Sequence, residues 1–177
     1  MNQEKTVLMT RGAVIAALYT ALTLLLHPIS YGPLQFRVAE ALTLLPFFLP
    51  SSATPGLFLG CLFANLFGGG GIWDVVLGST ATLLAALWTA RCKSRLTAAM
   101  PPVLLNAVLV GGMLWMLHFQ GTTVPLWLPM VEVGLGQMGA CVGLGLPLLR
   151  LLESRFPHWC ERADWQDLPR LGLGRRS

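Results

Sequence analysis

Long apolar runs, interrupted by few charged residues, constrain this sequence more than any other feature. Apolar residues make up 54% of the 177 residues and charged residues only 11%, whereas a soluble domain carries about a quarter charged residues. The excess apolar material requires lipid as its solvent. No linker or low-complexity tract divides the chain. The sequence therefore predicts one compact domain, an all-α integral membrane protein.

Prolines and glycines divide the apolar sequence into six candidate spans. They cover about residues 11–26, 36–49, 56–67, 73–90, 98–119 and 126–152. Several are shorter than the roughly 20 residues that a helix needs to cross hydrocarbon. Short and interrupted spans are tolerated where they line a cavity or pack against protein. We predict a six-span membrane domain over residues 1–155 and a polar cytoplasmic tail over residues 156–177.

The positions of lysine and arginine predict the orientation of these spans. With six spans and a cytoplasmic N-terminus, all twelve basic residues except Arg37 fall on the cytoplasmic side, as the positive-inside rule expects. Both termini are then cytoplasmic. The net charge of +4 thus reflects orientation in a bilayer, and nucleic-acid binding is not expected. No A-x-A cleavage pattern follows Leu26, so we interpret the N-terminal segment as an uncleaved first helix.

Ionisable side chains within spans are costly, so each is a candidate functional residue. Four of them, Arg37, Glu40, Asp74 and Glu132, fall toward the external half of the predicted bundle. Their convergence is typical of a binding site that opens to the outside. Arg37 and Glu40 share one helix face and could instead neutralise each other. Asp74 could instead stabilise the start of its helix through the helix dipole.

Amide and alanine side chains extend the candidate surfaces. The amides are Gln35, Asn65, Asn106 and Gln137. Each could bind a ligand, or could join helices by hydrogen bonds, a common use of polar residues in membrane bundles. The first span also carries a stripe of alanines at four-residue spacing, Ala13, Ala17 and Ala21. Such a stripe lets another helix approach closely, in this chain or in a partner.

Several catalytic and cofactor motifs are missing. No phosphate loop of the G-x-x-x-x-G-K-[ST] type occurs, so any ATP-driven work requires another chain. The four cysteines are scattered without a C-x-x-C pair, and neither a disulfide framework nor a zinc site is indicated. Ser79 and His118 could be imagined as a hydrolase pair, but residues 78–81 do not form a G-x-S-x-G elbow. We predict no catalytic activity, no cofactor and no metal.

One run of sequence closely resembles the signature of the QueT transporter family. The run is ISYGPLQFRVAEALTLLP from residue 29, and it is followed by PGLFLGC from residue 55, AN at 64–65, WD at 73–74 and GS at 78–79. The resemblance covers most of the chain from residue 13 to about residue 147. The first run is specific, and the later pieces would be weak alone.

The resemblance implies a substrate-binding (S) component of an energy-coupling-factor importer for queuosine precursors, in the prokaryotic plasma membrane. It implies a six-helix S-component fold with a ligand site near the external face. The implied partners are a transmembrane coupling subunit and two ATPase subunits, with the alanine stripe as the docking surface. The implied ligand is a 7-deazaguanine base, and a carboxylate such as Glu40 or Glu132 could accept hydrogen bonds from its ring N–H and amine.

Two rival interpretations share most of these features. The first is an S component of the same fold for another vitamin, which would differ only in its ligand. The second is a self-contained proton-coupled carrier that uses Glu40 and Glu132. Uptake by this chain alone, driven by a pH gradient, would favour the carrier.

Overall fold

The computed structural model describes residues 3–31, 35–69 and 71–156. Regular secondary structure within these residues is entirely helical, which confirms the predicted all-α class. Residues 157–177, which make up nearly all of the predicted cytoplasmic tail, lie outside the described residues.

Seven helical segments make up the described part of the chain. They are α1 (Gln3–Leu25), α2 (His27–Ser30), a 3-10 helix (Val38–Phe47), α3 (Pro50–Gly68), α4 (Gly71–Thr89), α5 (Arg95–Phe119) and α6 (Trp127–Arg155). The predicted count of six helices is therefore not confirmed. The additional segment is α2, a single turn that the sequence indicated only as a break. Pro28 lies in its first turn, where proline is well tolerated because that N–H has no helical acceptor.

Four helices, α1, α4, α5 and α6, are long and apolar enough to cross a membrane by length and composition. The 3-10 helix has only 10 residues, fewer than the roughly 20 that an α-helical span needs. Helix α3 has 19 residues, but it begins with the sequence PSSATPG, which lowers its mean hydropathy. The number of spans and the orientation of the termini stay predictions.

Helices α1 and α3 run in the same direction and pack closely through glycine. A Cβ on Gly56 would lie 2.6 Å from the carbonyl oxygen of Gly12. One turn further along, a Cβ on Gly60 would lie 2.8 Å from the Cβ of Tyr19. The hydroxyl of Thr20 donates a hydrogen bond to the carbonyl oxygen of Gly60 at 3.0 Å. These small residues bring the two backbones together and fix the position of Tyr19 along α3.

The 3-10 helix packs against α6, and the two run in the same direction. Gly139 lies against the ring of Phe36, and Gly145 lies against the side chain of Leu44. The central core forms around this contact and the α1–α3 contact, with Tyr19, Leu44, Leu57 and Leu149 as its largest fully buried apolar or aromatic side chains.

Two chain connections define the two ends of the bundle. At the α3–α4 end, Asn65 donates from Nδ2 to the carbonyl oxygen of Asp74 at 2.9 Å. At the opposite end, which we call the α4–α5 end, Arg95 and Glu153 form an ion pair at 2.6 Å. The predicted site residues Arg37, Glu40 and Asp74 lie toward the α3–α4 end.

The long helices contain π-helical stretches, a form that is rare and often occurs at functional sites. They are Asp74–Gly78 in α4, Asn106–Val110 and Trp115–Phe119 in α5, and Gly139–Gly145 in α6. The stretch in α4 begins at a predicted site residue, and the stretch in α6 follows Gln137 by two positions.

Candidate functional site

Glu40 is a buried carboxylate in the first turn of the 3-10 helix. Only 1% of its surface is exposed. Its Oε1 accepts a hydrogen bond of 2.5 Å from the hydroxyl of Tyr19. Its Oε2 is also buried but has no hydrogen-bond partner among the described residues. Because a buried polar atom without a partner costs about 1–3 kcal/mol, Oε2 is an atom at which a bound donor would be strongly stabilising.

Side chains of the 3-10 helix and of α6 hold the backbone of Glu40. Its carbonyl oxygen accepts from the hydroxyl of Thr43 at 2.6 Å and from the thiol of Cys141 at 3.5 Å. Cys141 also lies 3.8 Å from Oε1 of Gln137. Gln137 interacts with the Glu40 side chain, although no hydrogen bond from the described residues satisfies Oε2. Helix α6 therefore brings Gln137 to Glu40, as the prediction of a shared site requires.

Arg37 lies just before the 3-10 helix and is almost completely buried. Its guanidinium carbon lies 4.8 Å from the centroid of the Tyr31 ring, a cation–π distance. Its Nε donates to the carbonyl oxygen of Ser30 at 3.4 Å. A guanidinium has five N–H donors, and no other hydrogen bond from Arg37 to a described residue is present. Among the described residues, the remaining donors have no acceptor.

Arg37 and Glu40 interact electrostatically but do not form an ion pair. Their charges interact through space, yet the guanidinium and the carboxylate form no ion pair at contact distance. The alternative that the two side chains neutralise each other directly is therefore not seen. Both groups keep hydrogen-bonding capacity that the described residues do not use.

A cation–π contact followed by hydrogen bonds links Arg37 to the start of α4. The hydroxyl of Tyr31, beneath the guanidinium, donates to the carbonyl oxygen of Ala64 at 2.9 Å and lies 3.2 Å from Oδ1 of Asn65. Asn65 then donates to the backbone of Asp74 at 2.9 Å. Asn65 thus joins α3 to α2 and α4, which is the interhelical role that the sequence left open.

The carboxylate of Asp74 is the second acidic group of this cluster. Asp74 is 7% exposed, and no described residue donates a hydrogen bond to its side chain. Its charge interacts through space with Arg37 and with His118. Asp74 lies in the first turns of α4, where the helix dipole favours negative charge. Stabilisation by the dipole and binding of a ligand are compatible at this position.

Gln35 adopts a strained backbone conformation beside the cluster. Its φ is +45°, in the left-handed region that non-glycine residues rarely occupy. Its side chain is buried and makes no hydrogen bond to a described residue. Such strain persists where the surroundings impose it and is often found at binding sites.

Two predicted site residues are not brought to the cluster by any hydrogen bond. Asn106 is buried, but its Nδ2 donates to the carbonyl oxygen of Pro102 in its own helix at 3.0 Å. Glu132 is half-buried and makes no hydrogen bond or ion pair with a described residue. The roles of Asn106 and Glu132 as ligand contacts stay predictions.

Sequence reasoning did not identify Tyr19, Tyr31 or Cys141 as members of the cluster. A tyrosine within an apolar helix is a signal, because a buried hydroxyl usually finds a hydrogen-bond partner. The identity of that partner depends on how α1 packs, which the sequence does not state. Cys141 lies within an apolar run, where cysteine commonly packs as a small apolar residue.

The alanine stripe lies on the outer surface of α1. Ala13, Ala17 and Ala21 are all exposed, whereas Gly12 and Tyr19 are buried. The buried face of α1 is therefore its contact with the rest of the bundle, and the alanines point away from it.

The described residues contain no cluster of His, Cys, Asp and Glu that could hold a metal ion. Ser79 is buried with a hydroxyl that lacks a partner, and it makes no hydrogen bond to His118. The imagined hydrolase pair is therefore not formed.

Comparison with known proteins gives two matches. The family model described as QueT transporter matches residues 9–154. A curated protein of Lactococcus lactis subsp. cremoris (strain MG1363), "Queuosine precursor transporter QueT", is 37% identical over 86 residues. That alignment covers 48% of this chain and 50% of the relative, so the chain spans about half the length of the curated relative that it matches. No solved structure matches the chain.

Proposed function

We propose, from the premise that this chain belongs to the QueT transporter family, that it is the substrate-binding membrane subunit of an importer for a queuosine precursor. Family membership and the four apolar helices make it a multi-pass protein of the prokaryotic plasma membrane. The curated relative is a queuosine precursor transporter by name, and this supports a 7-deazaguanine as the ligand here.

The unsatisfied oxygen of Glu40 carries this proposal. Guanine-type bases present two neighbouring N–H donors, the ring lactam and the exocyclic amine, beside a carbonyl acceptor. Among the described residues, Glu40 Oε2 is a buried acceptor without a partner, and Arg37 is a buried donor whose other N–H groups have no acceptor. A carboxylate and a guanidinium together complement this edge of the base through charge-assisted hydrogen bonds. We propose that Glu40 accepts from the base and that Arg37 donates to its carbonyl.

Charge balance assigns a role to Asp74. The cluster holds one guanidinium, Arg37, and two carboxylates, Glu40 and Asp74, all of them buried. If both carboxylates are ionised, the cluster has one negative charge in excess, and buried charge is costly unless it is paired. A precursor that carries an ammonium group would supply the missing positive charge. We propose that Asp74 binds such an ammonium when the precursor has one.

The amides have different proposed roles. We propose that Gln35 and Gln137 read the polar edge of the base. Both side chains are buried; Gln137 interacts with Glu40, and Gln35 lies two residues before Arg37 in the chain. Asn65 supports the site by joining α3 to α4. We propose that Asn106 and Glu132 support the bundle, since no hydrogen bond from a described residue brings them to the cluster.

Import requires energy, and the sequence of this chain contains no motif that would supply it. We propose that a transmembrane coupling subunit and two ATPase subunits provide it, and that the coupling subunit docks on Ala13, Ala17 and Ala21. Their exposure on α1 supports this assignment. A stripe of small residues lets the backbones of two membrane helices approach closely.

The proposed orientation puts the α4–α5 end and both termini in the cytoplasm. Arg91, Lys93 and Arg95 are exposed at that end, as the positive-inside rule favours. The ligand cluster then lies toward the external face. The proposed domain division is a six-span membrane domain over residues 1–155 and a cytoplasmic tail over residues 156–177.

Thermal unfolding of the purified protein with a ligand panel tests the substrate. The panel contains 7-deazaguanine, an aminomethyl derivative, guanine and common vitamins. A ligand that binds only the folded state raises the midpoint as its concentration rises. We expect deazaguanines to raise it, and vitamins not to do so. A shift with another vitamin alone would assign the chain to a different substrate.

Uptake into liposomes tests the need for partners. We expect the chain alone to bind a deazaguanine without accumulating it, with or without a pH gradient. Accumulation driven by a pH gradient would instead support a proton-coupled carrier that uses Glu40.

A further inference from the structure

Tyr19 connects α1 to the proposed ligand carboxylate. The side chain is fully buried, and its hydroxyl donates to Glu40 Oε1 at 2.5 Å. Hydrogen bonds to an ionised carboxylate are shorter and stronger than bonds between neutral groups. The other carboxylate oxygen, Oε2, has no hydrogen-bond partner among the described residues.

One packing contact with α3 and one hydrogen bond within α1 hold the backbone of Tyr19 in place. Its backbone lies against α3, where the absence of a side chain on Gly60 leaves room for the Tyr19 Cβ. Its own carbonyl oxygen accepts a hydrogen bond of 2.8 Å from the hydroxyl of Thr23. The tyrosine hydroxyl is thus a fixed donor, and the carboxylate that it holds is fixed with it.

We infer that Tyr19 is a positioning residue of the ligand site, whose hydroxyl holds Oε1 of Glu40 so that Oε2 is presented to an N–H donor of the ligand. The inference rests on the proposed function, because it requires a ligand at Oε2. Without the tyrosine hydroxyl, Oε1 loses the donor that orients it, and the carboxylate is held less firmly. Ordering it would then be a cost of ligand binding.

This role makes the ligand site depend on α1. The Glu40 carboxylate belongs to the 3-10 helix, but its orientation is set by a residue of α1 that is itself set by α3. A substitution that displaces α1 from α3 therefore alters ligand affinity without touching a group that contacts the ligand. A phenylalanine in place of Tyr19 would keep the packing of the ring but could not donate a hydrogen bond to Glu40. This difference makes the role testable.

The test is the affinity of the full-length purified protein for 7-deazaguanine, measured by titration calorimetry. We expect Tyr19→Phe to raise Kd by about tenfold, the effect of one charge-assisted hydrogen bond. The matched control is Thr20→Val, which removes another interhelical hydrogen bond of α1, to Gly60, and does not touch Glu40. Thr20→Val should leave Kd within about twofold of the wild-type value.

A double-mutant cycle separates positioning from packing. If Tyr19 acts through Glu40, Tyr19→Phe has little further effect in the Glu40→Gln background. If Tyr19→Phe raises Kd by the same factor in the wild-type and Glu40→Gln proteins, Tyr19 acts by packing, and the inference is overturned. Where the Glu40→Gln protein binds too weakly to titrate, the Kd of Tyr19→Phe is compared with that of Thr20→Val to decide between positioning and packing. Equal weakening by Tyr19→Phe and Thr20→Val would overturn it as well.

Failure of this inference is distinct from failure of the proposed function. Wild-type binding that Tyr19→Phe leaves unchanged refutes the positioning role alone. A wild-type protein that binds no deazaguanine refutes the proposed function and the positioning role together.

Discussion

Gly60 of α3 lies so close to Tyr19 of α1 that a Cβ on the glycine would approach the tyrosine Cβ to 2.8 Å. This is closer than two carbon atoms pack without displacement. Because Tyr19 also donates to Glu40, the contact between α1 and α3 reaches the proposed ligand site through one side chain.

Gly60→Ala is therefore expected to lower both stability and ligand affinity. The added methyl forces α1 away from α3, and overpacking of this kind costs about 1–3 kcal/mol. Thermal unfolding without ligand measures the first effect, and calorimetry with 7-deazaguanine measures the second. Gly143→Ala is the control, since a Cβ there meets no atom within 4 Å. Unchanged ligand affinity in a destabilised Gly60→Ala protein would separate the α1–α3 contact from the site.

Two neighbouring glycines of α5 give a matched pair for the helix packing. A Cβ on Gly111 would lie 2.6 Å from the Cα of Met130 in α6, whereas a Cβ on Gly112 meets nothing within 4 Å. We expect Gly111→Ala to lower the unfolding midpoint, at a cost of about 1–3 kcal/mol. Gly112→Ala should leave it unchanged or raise it slightly, by about 0.5 kcal/mol. Equal effects of the two substitutions would contradict the α5–α6 contact described here.

Asp74→Asn tests the proposed ammonium contact. The substitution keeps the size of the side chain and removes its negative charge. We expect the Kd of an aminomethyl deazaguanine to rise by about tenfold or more and the Kd of 7-deazaguanine itself to change little. Titration of both ligands against both proteins measures the difference. Equal weakening of the two ligands would assign Asp74 to the structure of the site and not to an ammonium.

Ala17→Leu tests the docking surface. Ala17 is exposed on α1, so the larger side chain should leave folding and ligand binding intact. We expect it to abolish uptake by the assembled importer and copurification with the coupling subunit, because the leucine keeps a partner helix from approaching. Gly143→Leu, on the exposed surface of α6, is the control and should retain both. If the Ala17→Leu protein retains uptake and copurification, the coupling subunit docks elsewhere.

The membrane class and the family were predictable because they depend on local sequence. The apolar runs indicate that the chain folds in lipid. The run from residue 29 indicates the family, and the family model confirms it. Arg37 and Glu40 stood out for a physical reason, since an ionisable group within an apolar run is too costly to lack a function or a partner.

The internal geometry of the site was not predictable, because it depends on how helices pack. Tyr19 reaches Glu40 only through the glycine contacts of α1 with α3. Glu132 looked equivalent to Glu40 in the sequence, but Glu132 is only half-buried on α6, whereas Glu40 is fully buried. The extra turn at His27–Ser30 arose where Pro and Gly in the sequence indicated only a break.

The most direct test of the central claim compares two glutamates that the sequence could not tell apart. The measurement is the Kd of 7-deazaguanine for the wild-type protein, Glu40→Gln and Glu132→Gln, each checked for folding by thermal unfolding without ligand. Glu40→Gln should abolish or greatly weaken binding, because the base loses the buried acceptor at Oε2. Glu132→Gln should keep an affinity close to that of the wild-type protein. Full binding by a folded Glu40→Gln protein would contradict the assignment of Glu40 as the residue that holds the ligand.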